Sequence, residues 1–252
     1  MREKIEINSE AITLRKYFGE DAYSPIDVFS VLNNSEDITV VFYPMSERIS
    51  GMSIRDGKVK LIAINSTLTY GRQRFTAAHE VCHLFLHENF KSIVCGKDID
   101  QNKDPQEKEA DMFASYFLAP YESLKDFIST RLKKEKNRLD VNDVIKIEQH
   151  YGLSRQATLW RLKNDGYLSF DKAETMKTGI ISTAKKLGFD VNLYLPTPQE
   201  KQYYTLGRYI GLAEELRERE LISNGKYEEL LLDAFRGDIV YGLNHDGEEH
   251  YD

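Results

Sequence analysis

The run Arg72-Gln-Arg-Phe-Thr-Ala-Ala-His79-Glu80-Val81-Cys82-His83-Leu-Phe-Leu-His87 decides how this chain is read. Its apolar residues recur at helical spacing over residues 72–87. Phe75, Ala78, Cys82, Phe85 and Leu86 share one side, and Ala77, Val81 and Leu84 extend the apolar surface. The remaining sector gathers Arg72, Thr76, His79, Glu80, His83 and His87. A buried helix with one polar stripe must satisfy its imidazoles and carboxylate with partners. His79 and His83, four residues apart, are spaced to take a single zinc ion, and Glu80 between them can serve as a base on water. That combination predicts metallopeptidase chemistry with one Zn2+ per chain.

Sites built on two histidines need a third ligand from another element, a carboxylate or a further His. Glu107-Lys-Glu-Ala-Asp-Met-Phe-Ala-Ser-Tyr-Phe-Leu-Ala-Pro120 supplies one. It predicts a helix stopped by Pro120, with Ala110, Phe113, Ala114, Phe117 and Leu118 as its apolar face. Glu107 falls on the flank of that face, whereas Glu109 is expected to point well away, so Glu107 is the expected ligand. Asp111, one turn later, is expected to accept the free N–H of a zinc-bound His and fix its tautomer. A donor for the oxyanion is also required; His87, Tyr70 and Tyr121 are near enough in sequence to be candidates.

With both segments in hand, the chain resembles the ImmA/IrrE family of zinc metallo-endopeptidases over roughly residues 38–120. The resemblance implies a zincin-like core in which His79, His83 and Glu107 bind zinc and Glu80 is the general base. It also implies a substrate class: a helix-turn-helix repressor or an antitoxin-type regulator, cleaved to relieve repression. Cys82 departs from the pattern, which expects a small or aliphatic residue there. It lies opposite the zinc sector and is read as a small core residue.

Strands are expected at Ile38–Tyr43 and over residues 49–55 and 58–65, the last two joined by Asp56-Gly57, a strong hairpin signal. A strand beside the motif helix can pair with an extended substrate, or serve only as a sheet edge. Ser24-Pro25 is expected to start a helix running to about Val31. The fold class predicted is α+β: a small three-stranded sheet with helices, followed by a mostly helical C-terminal part.

The 252 residues carry a net charge of −7, distributed unevenly. Residues 131–163 hold nine Lys or Arg against four acids, a net of +5, which leaves −12 elsewhere. This basic island coincides with a helix-turn-helix-like pattern: a helix over Val141–Tyr151, a turn at Gly152, and Ser154 capping a second helix. Arg155, Thr158 and Arg161 would share one face of that second helix, which can meet DNA or the acidic surface of a partner. The competing expectation is a helical brace packed on the peptidase, with Trp160 and Leu162 in the core.

Beyond residue 170 helices are expected over 172–186, 201–221 and 226–235, with an extended crossing near 191–198 and an acidic, disordered tail over 245–252. The spans predicted are a peptidase domain at 1–125, the helix-turn-helix-like segment at 126–170 and a helical region at 171–244. Two cysteines make a disulfide framework improbable, and no long apolar run or signal pattern is visible. A cytoplasmic, membrane-free setting is expected. Two readings besides free proteolysis stay open: a DNA-binding regulator, and a toxin–antitoxin component activated by a partner.

Overall fold

The computed structural model describes residues 2–87, 92–96 and 104–242. The tail over 245–252 lies outside them. The chain opens with α1 (Lys4–Tyr17) and α2 (Val28–Asn33), followed by β1 (Ile38–Tyr43), β2 (Ile49–Asp56), β3 (Val59–Asn65) and α3 (Tyr70–Leu86). Strand β4 (Ser92–Gly96), α4 (Pro105–Leu118), α5 (Tyr121–Asp126), α6 (Val141–Tyr151), α7 (Arg155–Asn164), α8 (Phe170–Thr175) and α9 (Ile180–Lys186) come next. Strand β5 (Tyr204–Gly207), α10 (Arg208–Glu218), α11 (Asn224–Asp233) and α12 (Gly237–Tyr241) complete the order.

The expected three strands form, but among the described residues the sheet has five, in the order β4-β2-β3-β1-β5. β1 and β3 run parallel at its centre, from Ile38↔Lys60 to Tyr43↔Asn65. β2 returns antiparallel to β3, with Asp56 paired to Val59 and Gly57 at φ +57° in the turn. That positive φ is what the Asp-Gly pair signalled. β4 and β5 add antiparallel strands at the two edges. Both were missed for the same reason. Four or five residues are too few for an alternation to show, and β5 falls where the charged pattern to its C-terminal side suggested helix from residue 201. That helix begins only at Arg208.

α3 packs with one side on β2 and β3 and the other on α4, and every residue from Gly71 to Leu84 is buried. So central a helix needs partners for most of its polar groups. Gln73 Nε2 donates to Ser66 O, Leu68 O and Thr197 Oγ1, which ties the helix start to the 191–198 crossing. Gly51 lets β2 lie directly against α3: a Cβ there would sit 2.5 Å from Thr76 Cγ2 and 2.9 Å from Ala63 O. No real side chain tolerates such contacts.

The helix expected from Ser24 starts later. Asp27 caps it, accepting from the Phe29 amide, because its side chain is the one that reaches the free N–H groups. The helix expected over 172–186 is divided into α8 and α9 at Gly179, whose φ of +70° breaks the helical path. α4 runs from Pro105, capped by Asp104, and its predicted face of Ala110, Phe113, Ala114, Phe117 and Leu118 is fully buried.

The two helices expected on either side of Gly152 form, with Asp140 capping α6, Gly152 left-handed at φ +66° and Ser154 capping α7. The contact face expected on α7 is not a surface. Arg155, Thr158 and Arg161 are 5%, 1% and 1% exposed. Arg155 pairs with the buried Glu148 and donates to Met176 O. Thr158 returns its hydroxyl to Ser154 O at 3.0 Å. Arg161 donates to Ser115 O, Ser115 Oγ and Ala119 O and pairs with Asp165, while its guanidinium lies over the Tyr116 ring. Arg161 thus clamps the end of α4 while Arg155 ties α7 to α6 and to Met176, so the side chains of all three residues are taken up by contacts within the chain. The spacing of i, i+3 and i+6 identified a shared face correctly; which way it pointed depended on packing against α4. Trp160, expected in the core, is only half-buried at its margin.

Candidate metal centre

Three elements converge at one point. α3 presents His79 and His83 one turn apart with their Nε2 atoms 3.1 Å from each other. The first turn of α4 brings Glu107, with Oε1 3.1 Å from His83 Nε2 and Oε2 3.5 Å from His79 Nε2. Edge strand β4 adds Cys95, whose Sγ lies 3.8 Å from Glu107 Oε1. One donor atom from each of the four lies within 4.8 Å of the others.

Those spacings can be tested against the ion the sequence implies. Tetrahedral zinc with Zn–N and Zn–O distances of about 2.1 Å and Zn–S of about 2.3 Å places N and O donors about 3.4 Å apart and S and O donors about 3.6 Å apart. The N–N and N–O separations of 3.1, 3.5 and 3.1 Å fall on either side of the first value, and the S–O separation of 3.8 Å lies slightly above the second. The charge balance agrees. Burial opposes charging of His79, but Asp111 and Glu107 outweigh it and push its pKa up to about 9. Glu107, against the same burial, is held well below the usual carboxylate range by its bonds to His79 and His83. The cluster therefore favours positive charge at its centre, which a divalent cation would supply.

The surroundings fix the donors. His79 Nδ1 is 2.9 Å from Asp111 Oδ1, the contact expected of Asp111, which leaves Nε2 to face the cluster with its lone pair. Behind His83, Nδ1 lies 2.8 Å from His87 Nδ1, and His87 Nε2 is 3.6 Å from Glu109 Oε1. Glu109 in turn pairs with Arg2 at 3.1 Å. Glu109, expected to point well away from the apolar face of α4, is instead buried, with His87 and Arg2 compensating its charge. Glu80 is fully buried; its Oε2 accepts from Ser53 Oγ at 2.6 Å, and among the described residues no hydrogen bond reaches Oε1.

The three oxyanion candidates are not gathered at the donors' open side. Tyr70 starts α3, nine residues and about 13 Å of helical rise before His79, with its ring against Phe29. Tyr121 starts α5, beyond the far end of α4, where its amide donates to Asn8. His87 sits behind His83. Cys82 is buried in the core, as read.

Cys95, Ser53 and Gly51 were missed. Cys95 had a faint signal, since one of only two cysteines lies a dozen residues from the motif. Ser53 and Gly51 had none, because only the pairing of β2 between β3 and β4 brings them over Glu80.

A family model described as the IrrE N-terminal-like domain matches residues 33–163. The chain belongs to this family. The match covers just over half of the 252 residues and contains all four donors, Glu80, α6 and all but the last residue of α7. No curated protein matches the sequence. The IrrE-like membership and the donor cluster together support a zinc-peptidase-like function. Among the described residues, no helix is long and apolar enough to cross a membrane.

Proposed function

We propose that this IrrE-like chain is a zinc endopeptidase that cuts a protein substrate, a helix-turn-helix repressor or antitoxin-type regulator, in the cytoplasm. The observation that carries the reading is Glu80, a fully buried carboxylate next in sequence to His79, with one oxygen held by Ser53 and the other without a hydrogen bond among the described residues. A buried acid without a full set of partners is costly in a purely structural role and useful in a reactive one.

In this reading His79, His83 and Glu107 hold one Zn2+, and Asp111 and His87 orient the two imidazoles. Zinc, when bound, supplies a Lewis acid that polarises the scissile carbonyl and acidifies water. Glu80 takes the proton of the attacking water through its free oxygen and delivers it to the leaving amine, acting as base and then as acid. Ser53 keeps the carboxylate from turning away between the two transfers.

The test is incubation of the purified zinc form and of Glu80→Gln with the product of any helix-turn-helix regulator gene found beside its own, read by mass spectrometry. A single defined cut made only by the native protein is expected, with zinc content equal in both. Cleavage by Glu80→Gln at the native rate would overturn the role given to Glu80.

A further inference from the structure

Two histidines and one carboxylate normally leave the fourth position of zinc to water, and a site filled by four protein ligands is closed. Here the fourth donor of the cluster is Cys95. Its position is built rather than incidental. β4 pairs Cys95 with Gly51 of β2, and a register slip between Ile49 and Gly51 frees Ser50 from the ladder. The buried Ser50 hydroxyl reaches the carbonyls of Cys95 and Gly96 at 3.3 and 2.9 Å. The backbone of Cys95 is thus fixed at two points, and its side chain, in a residue 2% exposed, is held among the other donors. A thiolate is a softer and stronger ligand for zinc than water. While it is bound, the attacking water has no place.

We propose that Cys95 is a displaceable fourth zinc ligand that keeps the peptidase latent, and that oxidation of its sulfur by a peroxide opens the site. The inference rests on the zinc-peptidase reading above. In the opening step the thiolate attacks one oxygen of the peroxide. An S–O bond forms as the O–O bond breaks, sulfur gives up two electrons to become a sulfenic acid, and the second oxygen takes a proton and leaves as water when the oxidant is hydrogen peroxide. The sulfenic acid is a poor zinc ligand and gives up its position. A small thiol reverses the step through a mixed disulfide. Cys82 takes no part, since it packs in the hydrophobic core and is not one of the donors.

The experiment compares the native protein with Cys95→Ser, a near-isosteric change, in cobalt and zinc forms. The native cobalt form is expected to show a thiolate-to-cobalt charge-transfer absorption that Cys95→Ser lacks, with ligand-field bands of bound cobalt in both. One equivalent of hydrogen peroxide should erase the charge-transfer band while cobalt is retained, and should raise cleavage of the regulator by the zinc form severalfold, reversibly with dithiothreitol. Cys95→Ser should cleave without peroxide and not respond to it. Native protein that binds cobalt without the band overturns the latch and leaves the peptidase reading standing, as does equal cleavage by reduced native protein and Cys95→Ser. A band present with no cleavage by either protein in any redox state overturns the peptidase reading, and the gating falls with it.

Discussion

Replacing Arg161 by Met separates a brace from a DNA-reading helix. The guanidinium satisfies Ser115 O at 2.8 Å, Ser115 Oγ at 3.0 Å and Ala119 O at 3.0 Å, and it neutralises Asp165, whose side chain is 3% exposed. Methionine fills much of the same volume but leaves the terminal carbonyls of α4 and a buried carboxylate without a cation. Removing one partner of such a pair costs about 3–5 kcal/mol. In a protein of this size about 1 kcal/mol lowers Tm by roughly 2–4 °C, so a fall of roughly 6–20 °C is expected. Urea and thermal denaturation followed by circular dichroism measure it. Because much of the cost is the stranded acid, Arg161→Met combined with Asp165→Leu should recover a large part of the loss. Neither the native protein nor the variants should be retained by duplex DNA at low salt. A stability change within about 0.5 kcal/mol, as for a surface substitution, would refute the reasoning, and loss of a measurable DNA affinity in the variant would restore the competing one.

Gly51→Ala should cost about 1–3 kcal/mol and lower kcat more than zinc content, since the added methyl meets Thr76 and stands 3.3 Å from Glu80 Oε1; Thr76→Ser in the same chain should relieve part of it, and native stability and turnover in Gly51→Ala would count against the close β2–α3 contact. Asp111→Asn should weaken zinc binding by roughly 10- to 100-fold in chelator competition with the fold intact, and an unchanged affinity would remove Asp111 from the site. The metal-free His79 pKa of about 9 means that zinc must displace a proton at neutral pH. Apparent zinc affinity should therefore rise with pH, by up to about tenfold per unit below that pKa, and a flat profile from about pH 6 to pH 8 would contradict it.

The candidate metal-site residues were legible wherever they shared an element with a periodic apolar face. His79, His83, Glu107 and Asp111 each sit at a fixed angle to buried residues of α3 or α4, so helical spacing alone aims them. Cys95 and Ser53 could not be found that way. They reach the site through strand pairing across β2, and registers between strands distant in sequence are not written in either strand's own pattern. The basic island failed differently: charge and spacing are visible in sequence, whereas Glu148, Asp165 and the carbonyls of α4 that bury Arg155 and Arg161 are brought there by the fold.

The family's span stops at residue 163, yet the strand that covers β1 is β5, formed by residues 204–207. β1 reads Ile-Thr-Val-Val-Phe-Tyr, uncharged and rich in β-branched and aromatic residues. A fragment ending at the family boundary would present that run as a bare hydrogen-bonding edge, a template for pairing with copies of itself. The segment least informative as sequence is then a guard against self-assembly, and the shortest piece that behaves as a well-mannered monomer should extend past Gly207.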